Sequence, residues 1–172
     1  MSSPALAPLS TRRKTVLTAR RLAPLVRSGD LLILDGPLGS GKTFFVRALC
    51  RALALPQADR VTSPTFTLVH EYPTDPPMAH ADLYRLNTAA DVRALGLDAM
   101  REDGRLVVVE WGRPYLHELG GDALLIDFAL EPRRVGISAS GARSREILET
   151  WINAPPALVL KPTRGSERAG RE

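Results

Sequence analysis

The run Leu31-Leu32-Ile33-Leu34 passes through Asp35 into Gly36-Pro37-Leu38-Gly39-Ser40-Gly41-Lys42-Thr43, and nothing else in the chain restricts its fold as strongly. An unbroken apolar run of strand length marks a strand covered on both faces, as in a parallel sheet. The glycine-rich segment satisfies G-x-x-x-x-G-K-[ST]. Beyond it Phe45, Val46, Leu49, Ala52 and Leu53 recur at helical spacing, with Pro56 past the end, so a helix is predicted over Thr43 to Ala54. Strand, glycine turn and helix in that order form the arrangement that phosphate binding needs. Glycines let successive backbone N–H groups curl around phosphate oxygens, and the helix N-terminus adds partial positive charge. Lys42 would bridge the β- and γ-phosphates, and the Thr43 hydroxyl would ligate Mg²⁺.

A chain of 172 residues, 44% of them hydrophobic, has room for one domain around this motif. Its apolar runs are too short to span a membrane. The single cysteine, Cys50, excludes an internal disulfide framework and a multi-cysteine zinc site, and reads as a packed thiol in a reducing compartment. Ser10-Thr11-Arg12-Arg13 is no twin-arginine signal, because Arg20, Arg21 and Arg27 interrupt the apolar core it would need. A cytoplasmic location is the expectation. Prolines and the absence of periodicity predict flexible tails over residues 1–13 and 154–172, flanking a domain over 14–153. Of the formal net charge of +4, residues 1–14 carry +3 and residues 155–172 carry +2, leaving the body near −1. Attraction to RNA would therefore come from the tails or a local patch.

Within the body, a short helix is expected from Thr18 to Arg27, then extended segments over Thr67 to Tyr72 and Met78 to Tyr84 joined by a proline-rich turn. A helical stretch from Asp91 to Met100 leads to a buried strand over Leu106 to Glu110. Strands over Ala123 to Leu130 and Arg134 to Ala139 follow, and a closing helix capped by Ser144. The fold class is α/β, a single domain with a mixed parallel and antiparallel sheet flanked by helices.

Hydrolysis or transfer needs an acid to organise magnesium and a group to position the nucleophile, and Asp35, Asp82, Glu110 and Asp127 compete for these roles. Glu110 closes a doubly buried strand at its C-terminal end, where α/β sheets bind ligands. Asp127 alternates with Leu124, Ile126 and Phe128 and reads as a surface acid, while Asp35 reads as a turn residue. Thr62-Ser63-Pro64-Thr65-Phe66-Thr67 supplies hydroxyls on a proline-stiffened loop suited to sensing a γ-phosphate or to entering the next strand. His70, His80 and His117 have no zinc spacing and read as structural.

The segments GPLGSGKTFFVRAL, VTSPTFTLVHEY, HADLYRL and VVVEW, in this order and at these separations, resemble the bacterial TsaE (YjeE) family over residues 15–152. The resemblance implies a small P-loop ATPase that uses Mg²⁺ and ATP and acts with TsaB and TsaD in making threonylcarbamoyladenosine in tRNA, the tRNA being met through the complex and no membrane being involved. Carried over by motif, Gly36, Leu38, Gly39, Ser40, Gly41, Lys42 and Thr43 bind nucleotide. Thr65 lies on a switch-like loop, Asp82 and Glu110 are the catalytic carboxylates with Lys42, and Trp111 stands beside them. Thr43, Glu110 and Asp82 are the metal candidates. Thr15, placed before the first helix, and Arg134, in the late strand, match positions near the nucleotide. Pro37 and Gly112-Arg113 depart from the usual family residues, and Arg113 is placed to alter a partner contact. The competing readings are a P-loop small-molecule kinase, for which Arg85, Arg113 or Arg133 would serve as a lid arginine, and a non-catalytic nucleotide-dependent assembly switch. A GTPase lacks support because no Asn-Lys-x-Asp motif occurs.

Overall fold

Leu31–Asp35 forms β2, and its apolar residues are buried, as an unbroken apolar strand requires. The computed structural model describes residues 5–154. In it β2 lies between two parallel neighbours, Leu106–Glu110 (β5) and Leu124–Leu130 (β6). Met78–Asp82 (β4) extends the parallel set beside β5, and Val69–Tyr72 (β3) closes that side as the antiparallel arm of a hairpin. Beyond β6, Arg133–Ala139 (β7) and Ala5–Pro8 (β1) add antiparallel strands, so the seven-stranded order is β1-β7-β6-β2-β5-β4-β3.

The period of two along buried strands divides the core into two layers. On one face Leu32, Leu34, Val108 and Ile126 pack with Phe45 and Leu49 of Lys42–Ala52 (α2) and Leu22 of Arg12–Leu22 (α1). On the other, Leu31, Ile33, Val107 and Val109 meet Val92 of Ala89–Ala94 (α3) and Leu97 of Leu97–Glu102 (α4). Ala142–Asn153 (α5) joins the first layer through Leu148 and Trp151. The same alternation directs His80, Asp82 and Glu110 toward the α2 layer at the carboxyl ends of β4 and β5.

Several local expectations change. Residues 5–8 are not a flexible tail: they pair with β7, with Ala5 and Ala7 against the core, and an edge strand tolerates Pro8. The first helix begins at Arg12 rather than Thr18, because the Thr11 hydroxyl caps it by accepting the Lys14 N–H at 3.2 Å, and it ends before Pro24. Thr15 consequently lies inside α1, and a domain boundary at residue 14 would cut that helix. The stretch from Asp91 is two helices, broken at Gly96 with φ +65°. Ser144 is not the cap of α5. Asp122 accepts the N–H groups of Arg143 and Ser144 at 2.8 and 2.9 Å, while the Ser144 hydroxyl accepts from Gly141. The expected C-terminal tail lies, from residue 155 on, outside the described residues. No described helix is long and apolar enough to cross a membrane.

Candidate functional site

Gly36 turns the chain out of β2 with φ +132°, and a Cβ there would stand 2.3 Å from the Phe128 carbonyl oxygen, so only glycine lets the loop pass β6. The loop wraps over the end of β2 and delivers Lys42 and Thr43 to the first turn of α2. Lys42 is 5% exposed and donates to the carbonyls of Gly36 and Pro37 at 2.7 and 3.1 Å. Burial lowers its pKa, against the opposing pull of Glu110, Asp35 and Asp82. The Trp111 ring lies over the ammonium, 3.9 Å from nitrogen to ring centroid. Trp111 holds a left-handed φ of +63°, uncommon for a bulky residue, and its N–H donates to the Leu34 carbonyl at 2.9 Å. The Ser40 hydroxyl is buried in the loop without a partner among the described residues.

Glu110 is 3% exposed at the end of β5. Its Oε1 accepts from the Thr43 hydroxyl at 2.8 Å and lies 3.0 Å from His80 Nε2. His80 is fully buried; its Nε2 faces the Glu110 carboxylate, and its Nδ1 has no hydrogen-bond partner among the described residues. Asp82, the register neighbour of Glu110, takes the hydroxyls of Ser63 and, at 3.1 Å, Thr65 on Oδ2, while its Oδ1 caps the Tyr84 N–H at 3.0 Å. The hydroxyl loop is itself pinned: Arg47 of α2 donates twice to the Val61 carbonyl, at 2.8 and 3.1 Å, and Asp82 N–H donates to the Leu68 carbonyl. A buried ammonium, two carboxylates and four hydroxyls thus converge where the P-loop meets the ends of β4 and β5.

The family profile described as "Threonylcarbamoyl adenosine biosynthesis protein TsaE" matches residues 9–135. The chain belongs to the TsaE family. It is 41% identical over 135 residues to the tRNA threonylcarbamoyladenosine biosynthesis protein TsaE of Streptomyces coelicolor, covering 72% of this chain and 89% of that one. With the protein of the same name from Rickettsia felis it shares 33% identity over 155 residues, covering 89% and 90%. A crystal structure of Bacillus subtilis YdiB superposes with a TM-score of 0.69 at 26% identity, covering 88% of this chain and 96% of that one.

Of the positions that the TsaE motifs suggest, the fold gathers Gly36, Gly39, Ser40, Gly41, Lys42, Thr43, Thr65, Asp82, Glu110 and Trp111 into this one corner. The Leu38 side chain is exposed at the loop tip. Thr15 is buried on α1, which packs on α2, and makes no side-chain bond to the loop among the described contacts. Arg134 is exposed, and strand alternation turns it away from the face of Arg133, whose Nη2 reaches the Gly39 carbonyl at 3.4 Å. Asp127 is the half-exposed acid its pattern suggests, ion-paired with Arg113. Asp35 is the last residue of β2 rather than a free turn residue, and its Oδ1 accepts the Gly36 N–H at 2.7 Å. His80 and Ser63 are site neighbours that pattern alone did not single out.

The donor set suits Mg²⁺: two carboxylates and several hydroxyl oxygens are hard ligands, and Mg²⁺ takes few protein groups alongside phosphate and water. No cluster of three or more His, Cys, Asp or Glu that would hold a metal by itself occurs among the described residues. Thr43 and Glu110, already 2.8 Å apart, are the residues best set to share such an ion, with the buried, unpartnered Ser40 hydroxyl on the same loop.

Proposed function

We propose that this TsaE-family chain is a Mg-ATP-hydrolysing subunit of the machinery that makes threonylcarbamoyladenosine in tRNA, acting with TsaB and TsaD and meeting tRNA through that complex. The observation that carries the reading is the contact between the Thr43 hydroxyl, at the mouth of the P-loop, and the buried Glu110 carboxylate. Family membership and the names of the Streptomyces coelicolor and Rickettsia felis relatives support the pathway. When bound, the magnesium ion would neutralise phosphate charge and align the γ-phosphate for attack. The chain's own part is electrostatic and positional. Loop N–H groups and Lys42 hold the phosphates, Thr43 and Glu110 hold the metal's protein side, and His80 fixes the Glu110 carboxylate. Asp82 orients the attacking water and is steadied by Ser63 and Thr65, whose loop can report the state of the nucleotide. On this reading the protein works in the cytoplasm.

Slow turnover alone is expected, because the Asp82 side of the site is bordered by exposed Phe66 and Tyr84 rather than by a water-excluding wall. The test is phosphate release from ATP by the chain alone and with the TsaB–TsaD pair, where the pair should raise the rate. Turnover indifferent to the pair but dependent on a small-molecule acceptor would favour the kinase alternative, against which Arg113 is committed to Asp127 and Arg85 lies over the Phe66 ring. Binding without turnover under either condition would make the chain an assembly switch.

A further inference from the structure

Behind the P-loop, on the face of the sheet away from α2, two carboxylates stand side by side. Asp35 and Asp127 are register partners at the carboxyl ends of β2 and β6. Asp35 immediately precedes Gly36 and holds its N–H, so any excess negative charge here borders the loop whose N–H groups and Lys42 would face a phosphate. Such a pair, left alone, repels an incoming anion. Arg113 answers it: its guanidinium ion-pairs with Asp127, bonding both carboxylate oxygens, and its Nε lies 3.9 Å from Asp35 Oδ2. Gly112, just before Arg113, lets the chain turn tightly against Val109 and Leu119. A Cβ at Gly112 would stand 2.8 Å from Val109 Cγ1, and the Arg113–Tyr115 turn then carries the side chain back across β2. The side chains of Arg113 and Asp127 are 44% and 43% exposed, too open for their pairing to matter much to stability. The value of this arrangement lies in the field it removes from the loop.

We propose that Arg113 sets the affinity of this chain for nucleotide phosphate, by neutralising the Asp35–Asp127 pair behind the P-loop. The inference rests on the nucleotide-binding reading above and adds to it a residue outside the binding motif that acts through charge.

The test is calorimetric binding of Mg-ATP to the full chain, its Arg113→Ala, Arg113→Lys and Asp127→Asn variants, and the Arg113→Ala/Asp127→Asn double variant, each checked for folding by thermal melting. Arg113→Ala should bind roughly three- to tenfold more weakly at low salt, and the deficit should shrink between about 0.05 and 0.5 M salt as screening sets in. Arg113→Lys keeps the charge without the planar guanidinium, and the double variant removes an acid along with the base, so both should return to within about twofold of the wild type. Asp127→Asn alone should bind no more weakly than the wild type. The inference falls if Arg113→Ala binds like the wild type, or if the double variant stays as weak as Arg113→Ala, since Arg113 would then act by holding the Trp111 loop in shape. A wild-type chain that fails to bind Mg-ATP would overturn the nucleotide reading itself, a result distinct from wild-type binding that ignores Arg113.

Discussion

Replacing Glu110 with alanine takes the acceptor from two donors at once. Thr43 Oγ1, at 2.8 Å, can rotate to another partner, but His80 cannot. The imidazole is 0% exposed, its Nδ1 already has no partner among the described residues, and loss of the bond at 3.0 Å leaves both ring nitrogens without one there. An unpaired buried polar group costs about 1–3 kcal/mol, and truncating a buried side chain adds a cavity term. Release of a buried carboxylate from its own desolvation cost offsets part of this. A net loss of about 2 kcal/mol is expected, a fall in Tm of roughly 4–8 °C for a domain of this size, with Glu110→Gln losing about half as much. The functional loss should be of another kind. Lys42 and the loop N–H groups remain, so Mg-ATP affinity should stay within about threefold while phosphate release falls by at least about tenfold. Scanning fluorimetry, calorimetry and a phosphate-release assay read these separately. A Glu110→Ala chain that melts and turns over like the wild type would refute the role derived from the Thr43–Glu110–His80 chain, and inactivity of Asp127→Ala instead would move the assignment from β5 to β6.

Lys42→Ala should fold, melt within a few degrees of the wild type and lose Mg-ATP binding in calorimetry. Burial lowers the Lys42 pKa in the folded chain while unfolding restores the ordinary 10.5, so wild-type stability should rise with pH between those two values, and this rise should be missing from Lys42→Ala in denaturant titrations. Asp122→Ala should cost about 1 kcal/mol by uncapping α5. Its burial raises the Asp122 pKa, but hydrogen bonds from Ser144 and Arg143 outweigh that and leave it lowered; the stabilisation is therefore present above the ordinary 3.8 and lost as pH falls through the lowered value, which acid titration of the two chains would show. Cys50 is buried against Met78 with its thiol pKa pushed up to about 12, so native alkylation at pH 8 should track global unfolding, and rapid labelling of the folded chain would contradict the packing.

The parts of the site legible from sequence are those whose geometry is local. The P-loop is contiguous, and Glu110 announces itself by ending an apolar run, because strand ends in such sheets face the ligand side. His80 does not, since Ala79 and Ala81 make it look like one more strand residue and its partner lies 30 positions away on β5. Ser63 is visible as a hydroxyl near Thr65, but its aim at Asp82 depends on Arg47 pulling the loop onto α2. The fold shows the same division. The buried central strands follow from their composition, whereas β1 exists because β7 offers it an edge, and the cap of α5 comes from Asp122, 22 residues before Ser144. Propensity does not encode pairing between distant segments.

The strand at residues 5–8 has a consequence for self-association. It pairs with Arg134 to Ile137 on the outer side of β7, a seven-residue strand whose Val135 and Ile137 face the core. Without it, that ladder would present unpaired N–H and C=O groups, the kind of edge on which a second copy of the same chain can pair. The outermost strand that replaces it is a poorer template, short and closed by Pro8, which donates no hydrogen bond. A fragment begun at residue 14, the boundary that composition suggests, would keep the P-loop, Asp82 and Glu110 but cut into α1, remove buried Leu9 from the core and lose this cover, leaving the β7 edge open to a second copy.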